Sequence, residues 1–214
     1  MTRTEKRSNT TPTGVVLTIV VTIGFVWAGF QWINRYNWPR RLTIRDRRAN
    51  EITAFENLRR ISQAQAEYKK TDWDHDGRKT YAMFYVHLWK SIDANNESVP
   101  VGLIDKELGF AMGLSRPLSG YYFLDLNTGA IPNNPREERV LDPEKEWAVT
   151  AVPIGYKNTG RITFLADNTG AIYAQKYYAI PYRCPHDPAA EGWKKIENLQ
   201  QLKDFQSALE SSRS

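Results

Sequence analysis

"RLTIRDRRANEITAFENLRRISQAQAEYKK" (residues 41–70) carries Ile52, Phe55, Leu58, Ile61, Ala64 and Tyr68 at steps of three and four, the spacing that gathers side chains along one side of a helix. Arg59, Arg60, Gln63 and Glu67 fall mostly on the other side. The stretch predicts an amphipathic helix. Its apolar stripe needs a surface to cover it, and the chain on either side says what that surface is.

Toward the C-terminus the period changes and β-branched and aromatic residues accumulate. "GYYFLDL" (120–126), "WAVTAVPI" (147–154), "GRITFLA" (160–166) and "AIYAQK" (171–176) read as strands bounded by Asn, Asp, Gly and Thr. The last two predict a hairpin, because Asp167-Asn168-Thr169-Gly170 supplies residues that tolerate left-handed backbone. "FLDLNTGAI" (123–131) and "FLADNTGAI" (164–172) repeat the same NTGAI segment, which reads as one turn chemistry used twice. "PNNPREERVLDPEKE" (132–146) is charged and proline-rich and predicts an exposed loop. From Ala189 to Ser214 the helical period returns through Trp193, Ile196, Leu199, Leu202, Phe205 and Leu209, a face that packs back on the domain or on a partner.

Toward the N-terminus, "GVVLTIVVTIGFVWAGFQWI" (14–33) has twenty residues and no charge. As a helix rising ~1.5 Å per residue it spans about 30 Å, the thickness of a bilayer's hydrocarbon. A cleaved signal peptide has a shorter apolar core and small residues at its end. Here the run leads into Trp32, Tyr36 and Trp38, which reads as an interfacial aromatic belt. The expectation is a retained transmembrane helix, with Pro39 marking its exit.

The formal charge is +5 over 214 residues. Residues 1–13 hold +2 of it and residues 34–48 hold +5, which leaves residues 49–214 at −2. Basic charge therefore flanks the apolar stretch, where anionic headgroups attract it, and the folded part lacks the basic footprint of a nucleic-acid binder. The single cysteine, Cys184, excludes an internal disulfide. By the positive-inside rule the basic run after the helix places the large domain in the cytoplasm, although long domains translocate regardless of such charge.

"DWDHDG" (72–77) follows the amphipathic helix and spaces three carboxylates at alternate positions before a glycine. That is the first half of a calcium loop, in which carboxylates at positions one, three and five converge and a sixth-position glycine allows the reversal. Asp72, Asp74 and Asp76 occupy those positions, the carbonyl of Arg78 the seventh and Thr80 the ninth. Position twelve is Met83, where the full pattern has a bidentate glutamate. The expected ion is Ca2+, since oxygen donors suit it better than zinc or copper. The alternative is a solvated Asp-Gly turn whose carboxylates cap backbone groups.

No catalytic motif accompanies it. His75, His87 and His186 lack the spacing of a zinc helix, and there is no nucleophile elbow, phosphate loop or dinucleotide fingerprint. Cys184 and His186 sit two apart without a second thiol, and read as structural. The sequence predicts a protein that is not an enzyme.

These elements together resemble type IV pilins and pseudopilins, whose long N-terminal helix lies half in the membrane and half on a small sheet. "NEITAFENLRRISQAQAEYKKTDWDHDGRKTYA" (50–82) in particular is similar to uncharacterised bacterial pilin-like proteins, through Ala64, Gln65 and Tyr68 ahead of an Asp-rich loop and the pair Tyr81 and Ala82. The strands from Gly120 to Lys176, with Gly160 to Phe164 before a turn, carry the likeness to about residue 176. The family's peptidase site has Phe or Met after a glycine and Glu five residues on. Here Val15 follows Gly14 and Ile19 stands in the fifth place, so the resemblance implies a chain that stays uncleaved and does not polymerise.

The expected organisation is a basic segment at 1–13, a transmembrane helix with its belt at 14–38, a pilin-like domain at 39–188 and a C-terminal amphipathic helix at 189–214. The expected fold class is α+β: a membrane helix continuing into an amphipathic helix packed on a small antiparallel sheet. The resemblance implies a single-pass protein of the bacterial cytoplasmic membrane with its large domain outside, serving a structural or interaction role beside other membrane or periplasmic subunits. A calcium- or ligand-binding sensor is the alternative, and an enzyme assembled from distant residues a third.

Overall fold

The computed structural model describes residues 43–131, 134–176 and 179–212. The chain divides into two compact units, Met1–Arg41 and Leu42–Ser214, and the described residues belong to the second. The predicted transmembrane helix and belt at 14–38 lie outside the described residues.

Helix α1 runs Ile44–Tyr68. Thr43 starts it with a capping box, its hydroxyl accepting the Asp46 N–H while the Asp46 carboxylate accepts the Thr43 N–H. The predicted stripe is its inner face: Phe55, Leu58, Ile61, Ala64 and Tyr68 are buried and Ile52 is partly so. A short 3-10 turn at Tyr85–Leu88 follows, then the hairpin β1 (Lys90–Ile92) with β2 (Ser98–Pro100) and the single-turn helix α2 (Lys106–Phe110).

The main sheet has five antiparallel strands in the order β3 (Tyr121–Asp125), β6 (Ala148–Pro153), β7 (Ile162–Asp167), β8 (Ile172–Lys176), β9 (Lys194–Ile196). A third sheet is the hairpin of β4 (Thr128–Ile131) and β5 (Asn134–Val140). Helix α3 (Leu199–Ser211), capped by Asn198, closes the chain against α1 and β9.

This corrects the expected fold class. The described residues hold about as much strand as helix, but the strands are nine and form three antiparallel sheets rather than one small one, beside three α-helices. Among the described residues no helix is long and apolar enough to cross a membrane, α1 being studded with charge from Arg45 to Glu67. Nor is the sheet a small one with a single packed face. Every residue of β6 and β7 is buried: α1 covers one side, and on the other Leu126, Ala148, Leu165 and Trp193 form a second cluster beneath Leu141 and Cys184.

Two local expectations also fail. Residues 134–140, predicted as loop, are strand β5. The exposed hairpin buries neither Arg139 nor Val140, so it carries no alternation of apolar and polar residues to mark it. The repeated NTGAI segment takes two conformations. At 167–170 it is the β7–β8 turn, with Gly170 at φ 76° and Asp167 accepting from Thr169. At 128–131 it is β4, paired along β5 and bonded to Cys184. The tail divides likewise: Ile196 lies in β9 and helix begins only at Leu199.

Candidate functional site

Beyond Tyr68 the chain leaves α1 through Lys69, turns across residues 72–77, and is tied to the β1–β2 turn by the Ala94 N–H, which donates to the Asp74 carbonyl at 3.1 Å. The loop is bent by two left-handed residues, His75 at φ 55° and Gly77 at φ 84°. Asp72 shapes it from within, accepting the Asp76 N–H at 3.1 Å and the Gly77 N–H at 3.0 Å. One carboxylate oxygen from each of Asp72, Asp74 and Asp76 lies within 4.8 Å of the others.

So the fold brings the three aspartates together. It also brings them a cation of their own. The Arg78 N–H donates to Asp76 Oδ1 at 2.8 Å, and its guanidinium pairs with Asp76 Oδ2 at 3.1 Å and with Glu144 at 3.8 Å. Thr80 is half-buried three residues beyond Gly77, and Met83, the twelfth position, is exposed. The electrostatic strain falls on Asp74. Partial burial, then the charge of Asp76 and the contact with Asp72, raise its carboxyl above the usual range. The backbone N–H groups that Asp72 and Asp76 accept are those a capped Asp-Gly turn satisfies.

Beneath the loop Trp73 stacks on Tyr68 with centroids 6.3 Å apart, and the Tyr68 hydroxyl meets Ser91 Oγ at 3.1 Å. Gln65 clamps the next segment from both ends, donating to the Ala82 carbonyl at 2.8 Å and accepting the Ala82 N–H at 2.9 Å. The junction between α1 and the rest of the domain is therefore firmly built. His75 is exposed, while His87 is half-buried in the 3-10 turn, where burial lowers its pKa.

Cys184 and His186 line a small cleft of about 120 Å³ with Arg139, Glu146 and Asp167. Burial, reinforced by Asp167 and Glu146, pushes the thiol up to about 12. A nucleophilic cysteine works as thiolate, so this one stays protonated at neutral pH. Its backbone does structural service, donating to the Thr128 carbonyl at 2.7 Å and accepting the Ala130 N–H at 2.9 Å.

Sequence reasoning missed two acids, one half-buried and one fully buried. Asp125 accepts the Tyr85 N–H at 2.9 Å, and burial raises its carboxyl to about 7. Strict alternation in β3 carries the signal, since Asp125 shares a face with the buried Tyr121 and Phe123. Glu51 is fully buried on α1, accepting the Arg161 N–H at 2.8 Å and the Gln206 side-chain N–H at 2.7 Å. Nothing in the helical period distinguishes it from a surface glutamate.

Compared with known proteins, residues 22–179 match one family model, described as "Protein of unknown function (DUF2950)". Among curated proteins and among solved structures, none matches.

Proposed function

Since the chain belongs to the DUF2950 family, we propose its role from the chemistry of its own surface: it is a structural and interaction protein, held at a membrane by its uncharged N-terminal stretch and presented outside the cytoplasm as an accessory subunit. The observation that carries this reading is the pole at which the chain enters the fold. Thr43 follows the uncharged residues 14–33 by ten positions, and Ile44, just inside α1, is 54 % exposed. Arg47 donates to the Lys157 carbonyl at 2.5 Å and Asn50 to the Thr159 carbonyl at 3.0 Å, which sets the 154–160 loop beside it. That loop exposes Ile154 at 42 % and Lys157, which has no ion pair among the described residues. Exposed apolar side chains with Lys157 and Arg47 beside them suit a headgroup layer.

The accessory role is what the sequence resemblance of residues 50–176 implies, and Val15 and Ile19, standing where that family has its peptidase site, argue against a filament shaft. Membranes carrying the full chain provide the test. Washed at alkaline pH, they retain the protein until detergent is added. A cysteine introduced as Asn133→Cys in a Cys184→Ser background reacts with an impermeant maleimide from outside. Release without detergent overturns the anchoring, and labelling only from inside overturns the orientation.

A second reading adds calcium at Asp72, Asp74 and Asp76, with the Arg78 carbonyl and Thr80 as further donors, stiffening the junction after α1. What favours it is that partial burial, then the charge of Asp76 and the contact with Asp72, raise the Asp74 carboxyl above the usual range, a cost to its charged form that a cation offsets. Calcium at about 100 times its Kd then stabilises the protein by about 2.7 kcal/mol. Thermal melting of the full chain in detergent shows the gain, and Asp74→Ala removes it. No shift in either protein retires calcium and leaves the capped turn.

A further inference from the structure

We infer that the open cleft beside α2 is a docking site for a protein partner, which enters it with an apolar or aromatic side chain flanked by carboxylates. The cleft, about 710 Å³, is lined by Lys106, Glu107, Phe110, Ala111, Arg116 and Leu118. Its centre is the ring of Phe110, 37 % exposed. Lys106 Nζ stands 5.8 Å from the ring centroid and Arg116 Cζ 5.2 Å from it. Neither cation has an ion-pair partner among the described residues. Met112 and Leu114, 42 % and 57 % exposed, extend the apolar surface along the same loop.

The charge is out of keeping with its surroundings, because residues 49–214 carry net −2. Two unpaired cations around an exposed ring complement carboxylates placed beside an apolar anchor. An exposed aromatic with Arg at its side is also the composition of interface hot spots.

The platform is rigid before anything binds. Trp89 backs Phe110 with centroids 4.8 Å apart. Gly109 lets α2 settle on that indole, since a Cβ there would lie 2.8 Å from Trp89 Cβ. Asp105 caps α2 by accepting the Leu108 N–H at 2.8 Å and is itself paired with Arg60. A pre-formed surface loses little freedom on binding. The open shape suits a partner's surface better than a small molecule, whose sites enclose most of the ligand. Glu107 is the one acid at the rim and works against the proposed occupant.

The inference deepens the interaction role proposed above and rests on it only in taking a protein as the occupant; the cleft binds whether or not the chain is held at a membrane. The probe is a fluorescein-labelled peptide with glutamates around one central phenylalanine, titrated into the full chain in non-ionic detergent. Binding is expected to saturate, to weaken with salt, and to fall about tenfold or more in Arg116→Glu and in Phe110→Ala. Glu107→Lys is expected to tighten it, a change that loss of fold does not produce, and circular dichroism of each variant checks the fold. Equal binding of a lysine-substituted peptide, indifference to all three substitutions, or no saturation by about 1 mM overturns the proposal. Displacement of the peptide by phosphatidylglycerol in mixed micelles assigns the cleft to lipid and overturns it too.

Discussion

Glu51→Ala is expected to lower the stability of the domain by about 3–5 kcal/mol, read as a shift of the urea unfolding midpoint. Glu51 sits where three elements meet. Its Oε1 accepts the Arg161 N–H at the start of β7 and its Oε2 accepts the Gln206 amide from α3. Arg161 is 3 % exposed and reaches onward to Glu210 at 3.0 Å and to the carbonyls of Gln206 and Leu209 at 3.4 Å. Glu210 in turn pairs with Arg48, back on α1. Removing the carboxylate leaves the buried Arg161 N–H without its acceptor, a loss of about 1–3 kcal/mol, and takes from the Gln206 amide the shorter of its two bonds, the other running to the Arg48 carbonyl at 3.2 Å. It also strips a buried guanidinium of nearby negative charge. Glu51→Gln keeps an acceptor in place and is expected to cost less than half as much.

The same carboxyl gives the stability a direction with pH. Burial outweighs the donors around Glu51 and raises its pKa above the ordinary glutamate value. The folded state then holds the proton more tightly than the unfolded chain, so the contribution is complete below about 4.3 and fades as pH rises through the folded value. Asp125 behaves alike, its contribution present below about 3.9 and lost as pH approaches about 7. Unfolding curves of Glu51→Gln between these limits are expected to decline less with rising pH than those of the natural chain. Parallel curves would mean that Glu51 titrates normally.

The difference between α1 and this clamp shows how far the residue order can be read. Repeated contact with one surface writes itself as a period, and Phe55, Leu58, Ile61, Ala64 and Tyr68 are inside as that period predicts. The four longest segments of the main sheet are legible by composition instead, since they are rich in β-branched and aromatic residues, and β6 and β7 are buried along their whole length. Glu51, Asn57 and Gln65 are buried on the same helix and look like surface residues. Glu51 and Gln65 are inside because distant partners meet them, Arg161 and Gln206 in the one case and Ala82, 17 residues away, in the other, and such pairing leaves no periodic trace. The acidic loop was legible as a cluster because its spacing is local. The docking cleft was not, since Lys106 and Arg116 converge on Phe110 only after α2 is seated on Trp89.

Phe164→Ala is expected to cost about 3–5 kcal/mol, toward the upper end of that range, with the melting temperature falling by on the order of 10 °C. Phe164 lies on β7, the middle strand, fully buried beneath α1, its centroid 6.4 Å from that of Phe55 and 6.1 Å from that of Tyr121. The register explains why so large a ring fits. Ala151 on β6 and Ala174 on β8 stand directly beside it, both fully buried, so one aromatic side chain fills the width of three positions. The same arrangement keeps the hole from closing, because alanines have no atoms to swing into it. Phe164→Leu, which leaves most of the volume filled, is expected to cost less than half as much. Ala174→Leu supplies the sharper comparison: alone it overpacks and destabilises by about 1–3 kcal/mol, whereas beside Phe164→Ala it occupies the vacated space and restores part of the loss. Additive costs in the double variant would mean that the two side chains do not share a cavity, and with it the register of the central sheet would fall.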